Sequence, residues 1–477
     1  MNGHSREDLR TLKYTVEKIP SKPVDGTNHV YPLYIAMHGG GEDKDGTAND
    51  RAWQHMMASY KGRITDGIWV AVRGIGNTWD MHFTGPGHVL VERLIEYMIL
   101  FHNVDPNRVY LVGFSAGGDS GFRIGNRLAQ RFAACEIGGG DPGDVRAGNF
   151  MNLPVCLQVG EQDEGWVQSK PLGRSKHVAQ FGIKLDVLAK IHPDYYTHSV
   201  FIHPTGRYED ERYDPGNRKH NSWEKGNFDN DQTAGKPTTI IQDYVVWLEQ
   251  YEKNRQNAVD NWASLGITPA EVENTNTIDW PNNKKSRNPT PTKVFWDLGV
   301  GNFNDQQPKE EKDRYWQSSD NFRFVRPSDF HGLTQNYWLA IVPPPPATSA
   351  SPAYYHVHKP GTSIMGQLDR ANNKVMIAVT GETEDDINFG VRVLLRPGVL
   401  RDLSQSIAVE IKTTIARPEK KVTSAVLDVG PRLVESERVI KDTLVRNDPS
   451  LVFTSDIILV KEVVGGTTTW SALKYTS

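Results

Sequence analysis

The stretch Arg108-Val109-Tyr110-Leu111-Val112-Gly113-Phe114-Ser115-Ala116-Gly117-Gly118 decides the fold. Its first half is a short apolar run of strand type. It leads directly into the pentapeptide Gly113-Phe114-Ser115-Ala116-Gly117, and a helical pattern follows to about Arg131. Alone, a Gly-x-Ser-x-Gly pentapeptide says little, because glycine and serine are common. Between a strand and a helix it says more. A serine held on so tight a turn needs small neighbours, and Gly113, Gly117 and Gly118 supply the room. The turn lifts the Ser115 hydroxyl above the sheet and close to a helix N-terminus, where the positive end of the dipole favours developing negative charge.

Working outward, the first half of the chain alternates strand and helix patterns, the signature of a largely parallel sheet covered on both faces. Strands are expected at Tyr31–Met37, Ile68–Val72, Arg108–Val112, Phe132–Ile137, Leu153–Val159 and Thr197–Ile202. Helices are expected at Arg51–Tyr60, His88–Phe101, Gly117–Arg131, Ser175–Ile191 and Ile240–Tyr251. A long charged, aromatic loop, Pro204 to Pro237, lies between the last strand and the last helix, and loops of that length in a compact domain are usually functional.

The pattern changes after about residue 265. A stretch rich in Asn, Thr, Pro and Lys reads as a connector, and beyond it short strand-like runs are separated by turn residues. They are Lys293–Trp296, Tyr337–Val342, Tyr354–Val357, Lys374–Val379, Gly390–Leu395, Ser406–Lys412, Ala425–Val429 and Asp456–Val460. The organisation predicted is an α/β domain with a mostly parallel sheet over 1–265, a connector over 266–292 and an antiparallel β-sandwich over 293–477. A chain of 477 residues is long enough for two such cores.

Composition narrows the function classes. Hydrophobic residues make up 38% and charged residues 23%, an ordinary globular balance. The net charge of −4, from 58 acidic and 54 basic residues, gives no footprint for nucleic acid or an anionic membrane. No apolar run reaches the roughly 18–20 residues that span a bilayer. The polar start Met1-Asn2-Gly3-His4-Ser5-Arg6 has no apolar core of signal-peptide type, so a cytoplasmic protein or a mature secreted form is expected. Cys135 and Cys156, the two cysteines, fit neither a disulfide framework nor a metal motif and are expected to be inert core thiols.

Around Ser115 the remaining parts of an acyl-transfer site appear in order. His38-Gly39-Gly40-Gly41 ends an earlier strand. Negative charge on a former carbonyl oxygen needs backbone N–H groups pointed at it, and the expected donors are Ala116 with one amide from Gly40 or Gly41. His38 precedes the nucleophile in the chain and reads as a hydrogen bonder that anchors the loop. The acid should follow a later strand, and Asp163 in Gly160-Glu161-Gln162-Asp163-Glu164 is the natural choice. Glu161, Glu164, Asp141 and Asp144 compete with it. The base should come last: His220 in Lys219-His220-Asn221-Ser222-Trp223 is preferred to His203 and to His198, which lies within a strand. This chemistry asks for no metal and no cofactor.

These motifs together, with Asp105-Pro106-Asn107-Arg108-Val109-Tyr110 and His220-Asn221-Ser222-Trp223, resemble the polyhydroxybutyrate-depolymerase and feruloyl-esterase branch of the α/β-hydrolases over residues 30 to 250. The resemblance implies a triad of Ser115, Asp163 and His220. The later part resembles a β-rich domain appended to some bacterial hydrolases, through Asp402-Leu403-Ser404-Gln405-Ser406-Ile407-Ala408-Val409 and Leu451-Val452-Phe453-Thr454.

Trp79, Trp166 and Trp223 are expected near the site as substrate contacts, with Tyr208 and Tyr213, although such aromatics also serve to pack loops. The leading expectation is a carboxylic-ester hydrolase taking a small-molecule or polymeric ester. A serine peptidase of the same fold and a non-catalytic scaffold are the alternatives. In the β-region Trp296, Trp316 and Trp338 could stack on sugars, but single tryptophans are more often core residues. Oligomeric state leaves no trace in the sequence.

Overall fold

The computed structural model describes residues 12–19, 30–40, 45–59, 67–77, 82–83, 87–143, 145–160, 174–192, 194–203, 287–297, 335–342, 362–387, 389–400, 402–417, 420–429, 437–444, 448, 451–464 and 467–473. The chain divides into two compact units. The first comprises 1–88, 103–126 and 132–287; the second comprises 89–102, 127–131 and 288–477.

A seven-stranded sheet organises the first unit. Its strands are β1 (Tyr14–Ile19), β2 (Tyr31–Met37), β3 (Gly67–Val72), β4 (Val104–Phe114), β5 (Ala134–Gly138), β6 (Val155–Gly160) and β7 (His198–His203). They lie in the order β1-β3-β2-β4-β5-β6-β7. From β3 through β7 all neighbours are parallel, and β1 pairs antiparallel with β3. Every residue of β2 and β3 is buried, as a continuous apolar run requires when both faces of a parallel sheet are covered. Helix α1 (Thr47–Ser59) packs on β2 and β3, and the Trp53 indole donates to the Ala71 carbonyl at 2.9 Å. Helix α2 (Gly87–His102) precedes β4, α3 (Ala116–Arg127) follows it, and α4 (Arg174–Ile191) packs on β6 and β7.

Two boundaries depart from expectation for identifiable reasons. Strand β4 begins at Val104 and takes in Asp105-Pro106-Asn107, which reads as a turn. Its pairing with β2 jumps from Tyr31↔Val104 to Leu33↔Val109, and this bulge accommodates a proline that has no N–H to give. The Asp105 carboxylate secures the bulge, accepting the Asn107 N–H at 2.9 Å and the Arg108 Nε at 2.8 Å. Helix α3 ends at Arg127 rather than Arg131, and a separate 3-10 turn covers Ala129–Arg131. The expected helix Ile240–Tyr251 lies outside the described residues.

The second unit holds two five-stranded sheets. In order they are β17 (Thr467–Ala472), β16 (Ser455–Val464), β13 (Gly390–Leu395), β10 (Leu339–Val342) and β9 (Gln335–Asn336), and then β15 (Lys421–Val429), β14 (Ile407–Ile415), β12 (Lys374–Gly381), β11 (Ser363–Asp369) and β8 (Lys293–Asp297). Both sheets feed one apolar core: Ile364, Ile377 and Ile411 from one meet Val391, Leu459 and Trp470 from the other. The alternating burial of β11, β12 and β14 is the period-2 pattern that such a core imposes.

The sheets are not wholly antiparallel as expected. After β12 the chain crosses to the other sheet as β13 and returns as β14, so β12 and β14 run parallel. The expected strand Tyr337–Val342 is broken by a tight turn at Tyr337-Trp338, with Tyr337 at φ +54°. Packing overrides the poor turn propensity of two bulky residues there. Trp338 is fully buried and its indole donates to the Pro291 carbonyl at 2.7 Å, a core role. A short helix, α5 (Glu437–Leu444), was not anticipated. The expected strand Tyr354–Val357 and Trp316 lie outside the described residues.

Candidate active site

The serine turn is tied at both ends. The Ser115 N–H donates to the Gly138 carbonyl at the end of β5, and the Ser115 carbonyl accepts the Asp119 N–H as the first bond of α3, each at 2.9 Å. Between these anchors Ser115 adopts φ +58°, a left-handed conformation that costs a non-glycine residue about 1–2 kcal/mol. The neighbouring backbones make it possible. A Cβ on Gly117 would lie 2.0 Å from the Met37 carbonyl oxygen, so the first turn of α3 sits directly against the end of β2. Starting at Ala116, α3 leaves the amides of its first turn without intrahelical partners, beside the serine.

Ser115 therefore stands on a strained strand-to-helix turn at the C-terminal end of β4, a central strand of a parallel sheet. The first unit has the α/β-hydrolase fold.

The turn after β2 supplies the opposite wall. A Cβ built on Gly39 would lie 2.9 Å from the Ser115 Cβ and 3.5 Å from its Oγ, so only glycine lets this backbone come so near the hydroxyl. The next residue, Gly40, has φ +141° and is exposed. The imidazole of His38 is buried and fully engaged. Gly74 donates its N–H to Nε2 at 3.1 Å, which makes Nε2 an acceptor and leaves the proton on Nδ1 to reach the Gly39 carbonyl. Burial is the main reason its pKa falls to about 4; the hydrogen bond to Gly39 opposes the shift and Arg73 adds to it. His38 is thus neutral and structural, as its place in the chain suggested.

Two residues to which the sequence assigned no role lie behind this turn, His82 in direct contact with it and Arg73 through the Gly74 loop whose N–H meets His38. His82 is buried and donates from Nε2 to the His38 carbonyl at 3.0 Å, with its ring edge-on to His38 at 4.7 Å between centroids. Its pKa also lies well below the ordinary histidine value, chiefly through burial. Arg73, directly after β3, binds Asp50 at 2.8 Å, the carbonyls of Gly74 and Gly76 at 2.7 Å and Asn77 Oδ1 at 2.6 Å. A charged residue following a wholly apolar strand was the available signal for Arg73. His82 had none beyond its place in a loop expected near the site.

On the other side of α3, Asp119 is buried and its carboxyl pKa is raised by that burial, against the pull of Arg174 at 3.9 Å and of the Asp141 N–H at 2.6 Å. Asp141, one of the rival acids, is committed elsewhere: Oδ1 accepts the Gly143 N–H at 2.7 Å and Oδ2 lies 3.1 Å from His177 Nδ1. His198, a rival base, is buried in β7 and bound to the Tyr196 carbonyl at 2.7 Å and Asp186 at 3.1 Å. The backbone of His203 ends β7. Gly41, Trp79, Asp163, Trp166, His220 and Trp223 lie outside the described residues, as do Asp144, Glu161 and Glu164. Of the expected site residues, Ser115, Ala116 and Gly40 are described, and all three belong to the two glycine-rich turns that meet at the serine.

No protein-family model matches the chain. A bifunctional acetylxylan esterase/xylanase from Neocallimastix patriciarum is 30% identical over 104 residues, 22% of this chain and 15% of that enzyme. The match thus spans a small part of that relative's length. Among solved structures, a thermostable esterase is 19% identical, with a TM-score of 0.33 over 44% of this chain and 54% of its own. A phospholipase/carboxylesterase from Dyadobacter fermentans is 15% identical, with a TM-score of 0.28 over 42% of this chain and 90% of its own. A poly(3-hydroxybutyrate) depolymerase from Bordetella parapertussis is 15% identical, with a TM-score of 0.29 over 40% of this chain and 77% of its own.

Among the described residues no helix is long and apolar enough to cross a membrane, and no group of His, Cys, Asp or Glu is placed to hold a metal ion.

Proposed function

We propose that the chain is a serine carboxylic-ester hydrolase working through an acyl-enzyme. The observation that carries this reading is Ser115 itself, held at φ +58° where β4 turns into α3, with the Gly39 backbone in contact with it. Ser115 attacks the ester carbonyl. The Ala116 amide, with that of Gly40 or Gly41, stabilises the oxyanion; removing one such donor typically lowers the rate by about two to three orders of magnitude. His220 takes the serine proton and returns it to the leaving alcohol, and Asp163 holds the imidazole in the required tautomer. Water then releases the acid by the same path. The second unit is read as a β-sandwich accessory to this site, on the strength of its shared core.

The short match to a bifunctional acetylxylan esterase/xylanase adds acetyl esters of carbohydrates to the substrates to try, beside feruloyl, short-acyl, long-acyl and polyester substrates. A fluorophosphonate should label the wild type and fail to label Ser115→Ala and His220→Ala. A folded wild type that takes no label would overturn the enzyme reading. If the labelled protein cleaves peptide amides and no esters, the peptidase reading replaces this one.

A further inference from the structure

The backbone beside Ser115 is aimed by side chains that take no part in the chemistry. A peptide unit is planar, so fixing its C=O fixes the N–H at its other end. The peptide joining His38 and Gly39 is fixed by His82, whose Nε2–H reaches the His38 carbonyl at 3.0 Å. The next peptide, joining Gly39 and Gly40, is fixed by the Nδ1–H of His38 on the Gly39 carbonyl. That second plane ends in the Gly40 N–H, one of the two glycine amides named as oxyanion donor in the proposed mechanism. His38 is held in turn by the Gly74 N–H on Nε2 and by the edge-on His82 ring.

We propose that His82 is a positioning residue for this hydrolase: its Nε2–H on the His38 carbonyl and its ring against the His38 imidazole hold the His38–Gly39 backbone, and through it the Gly40 amide, against the Ser115 oxyanion. The inference rests on the ester-hydrolase reading for its consequence in rate, and on geometry alone for its effect on the turn.

The loop carrying His82 has anchors of its own. The neighbouring Phe83 is buried under the Arg123 guanidinium of α3, 4.9 Å from the ring centroid. Gly87, the first residue of α2, is pressed so closely on the His82 carbonyl that a Cβ there would lie 2.1 Å from the oxygen. Removing the imidazole N–H therefore leaves His82 and Phe83 seated by these contacts and takes away the hydrogen bond to the His38 carbonyl. The carbonyl it abandons is wedged against α3, since a Cβ on Gly117 would also come within 2.8 Å of the His38 oxygen. Without the His82 donor that contact with α3 remains, but no hydrogen bond from His82 holds the direction of the carbonyl.

The test compares His82→Phe, which keeps a ring against His38 and loses the donor, with His82→Gln, whose amide nitrogen occupies nearly the place of Nε2. With p-nitrophenyl acetate, His82→Phe should lower kcat by about ten-fold, a fraction of the loss for a whole oxyanion donor, while KM stays within about two-fold. His82→Gln should recover most of the rate. Hydrogen–deuterium exchange across residues 38–40 should rise in His82→Phe and stay near wild type in His82→Gln. That measurement needs no turnover. A wild type without esterase activity that still shows the exchange pattern would fail the functional reading and leave the positioning geometry standing. Equal losses in the two variants, or a kcat and an exchange rate in His82→Phe equal to wild type, would overturn the role of His82.

Discussion

Acidification should unfold this protein partly through His38. The group has its ordinary value near 6.5 in the unfolded chain and a value of about 4 in the folded one, because burial excludes the charged form. Between those limits the unfolded state holds a proton that the folded state does not, so stability falls as pH falls, beginning near 6.5 and ending near 4. The shift of about 2.5 units corresponds to about 3 kcal/mol, with a slope approaching 1.4 kcal/mol per pH unit at the middle of the window. Protonation has a local meaning as well: Nε2 stops accepting the Gly74 N–H, and that buried donor loses its partner. Arg73 disfavours the extra charge on this ring, while Asp50 favours it weakly. Urea unfolding at half-unit steps from pH 7 to 4 measures the effect. His38→Gln, less stable at neutral pH, should show a shallower decline across the window by about that slope. A decline identical in both proteins would refute the assignment of the acid-sensitive proton to His38.

Other consequences can be checked separately. Gly117→Ala should destabilise the first unit by about 3 kcal/mol or more in thermal melts, because its Cβ would meet the Met37 carbonyl, a backbone atom that cannot swing away. Within the second unit Arg131 and Asp448 form a fully buried ion pair at 2.7 Å; Asp448→Asn should cost about 3–5 kcal/mol, and pairing Arg131→Met with Asp448→Leu should recover part of it. Cys135 and Cys156 are free, buried and pushed by burial well above the usual thiol range, so a thiol reagent should react with them only after unfolding. Fast labelling of the native protein would contradict this placement.

The elements that were legible in the sequence are those with one strong local cause. The apolar runs 31–37, 68–72 and 108–112 read as buried strands of a parallel sheet; β2 and β3 lie where those runs predict, and β4 contains the third and extends back to Val104. The serine turn was legible because tight geometry demands glycine, and its glycines are where backbones touch. What escaped depends on partners distant in the chain. The Tyr337-Trp338 turn violates turn propensity and is held by burial and by the Pro291 carbonyl, 47 residues away, which no window over 337–342 could reveal. Strand β1 carries no fully apolar run, because an edge strand is covered on fewer sides, and it escaped for that reason.

The site divides along the same line. Its nucleophile and its glycines are local motifs. His82 and Arg73 act through backbone carbonyls, and a carbonyl has no letter in the sequence. His82 meets His38 across 44 residues, and Arg73 holds Gly46 across 27. A residue that aims a peptide plane is chosen for where it lies and for one N–H, so asparagine, glutamine or tryptophan elsewhere could do the same work. That is why motif reading finds the groups that react and overlooks those that aim them. It is also why His82→Gln, which changes the letter and keeps the donor, separates the two kinds of residue.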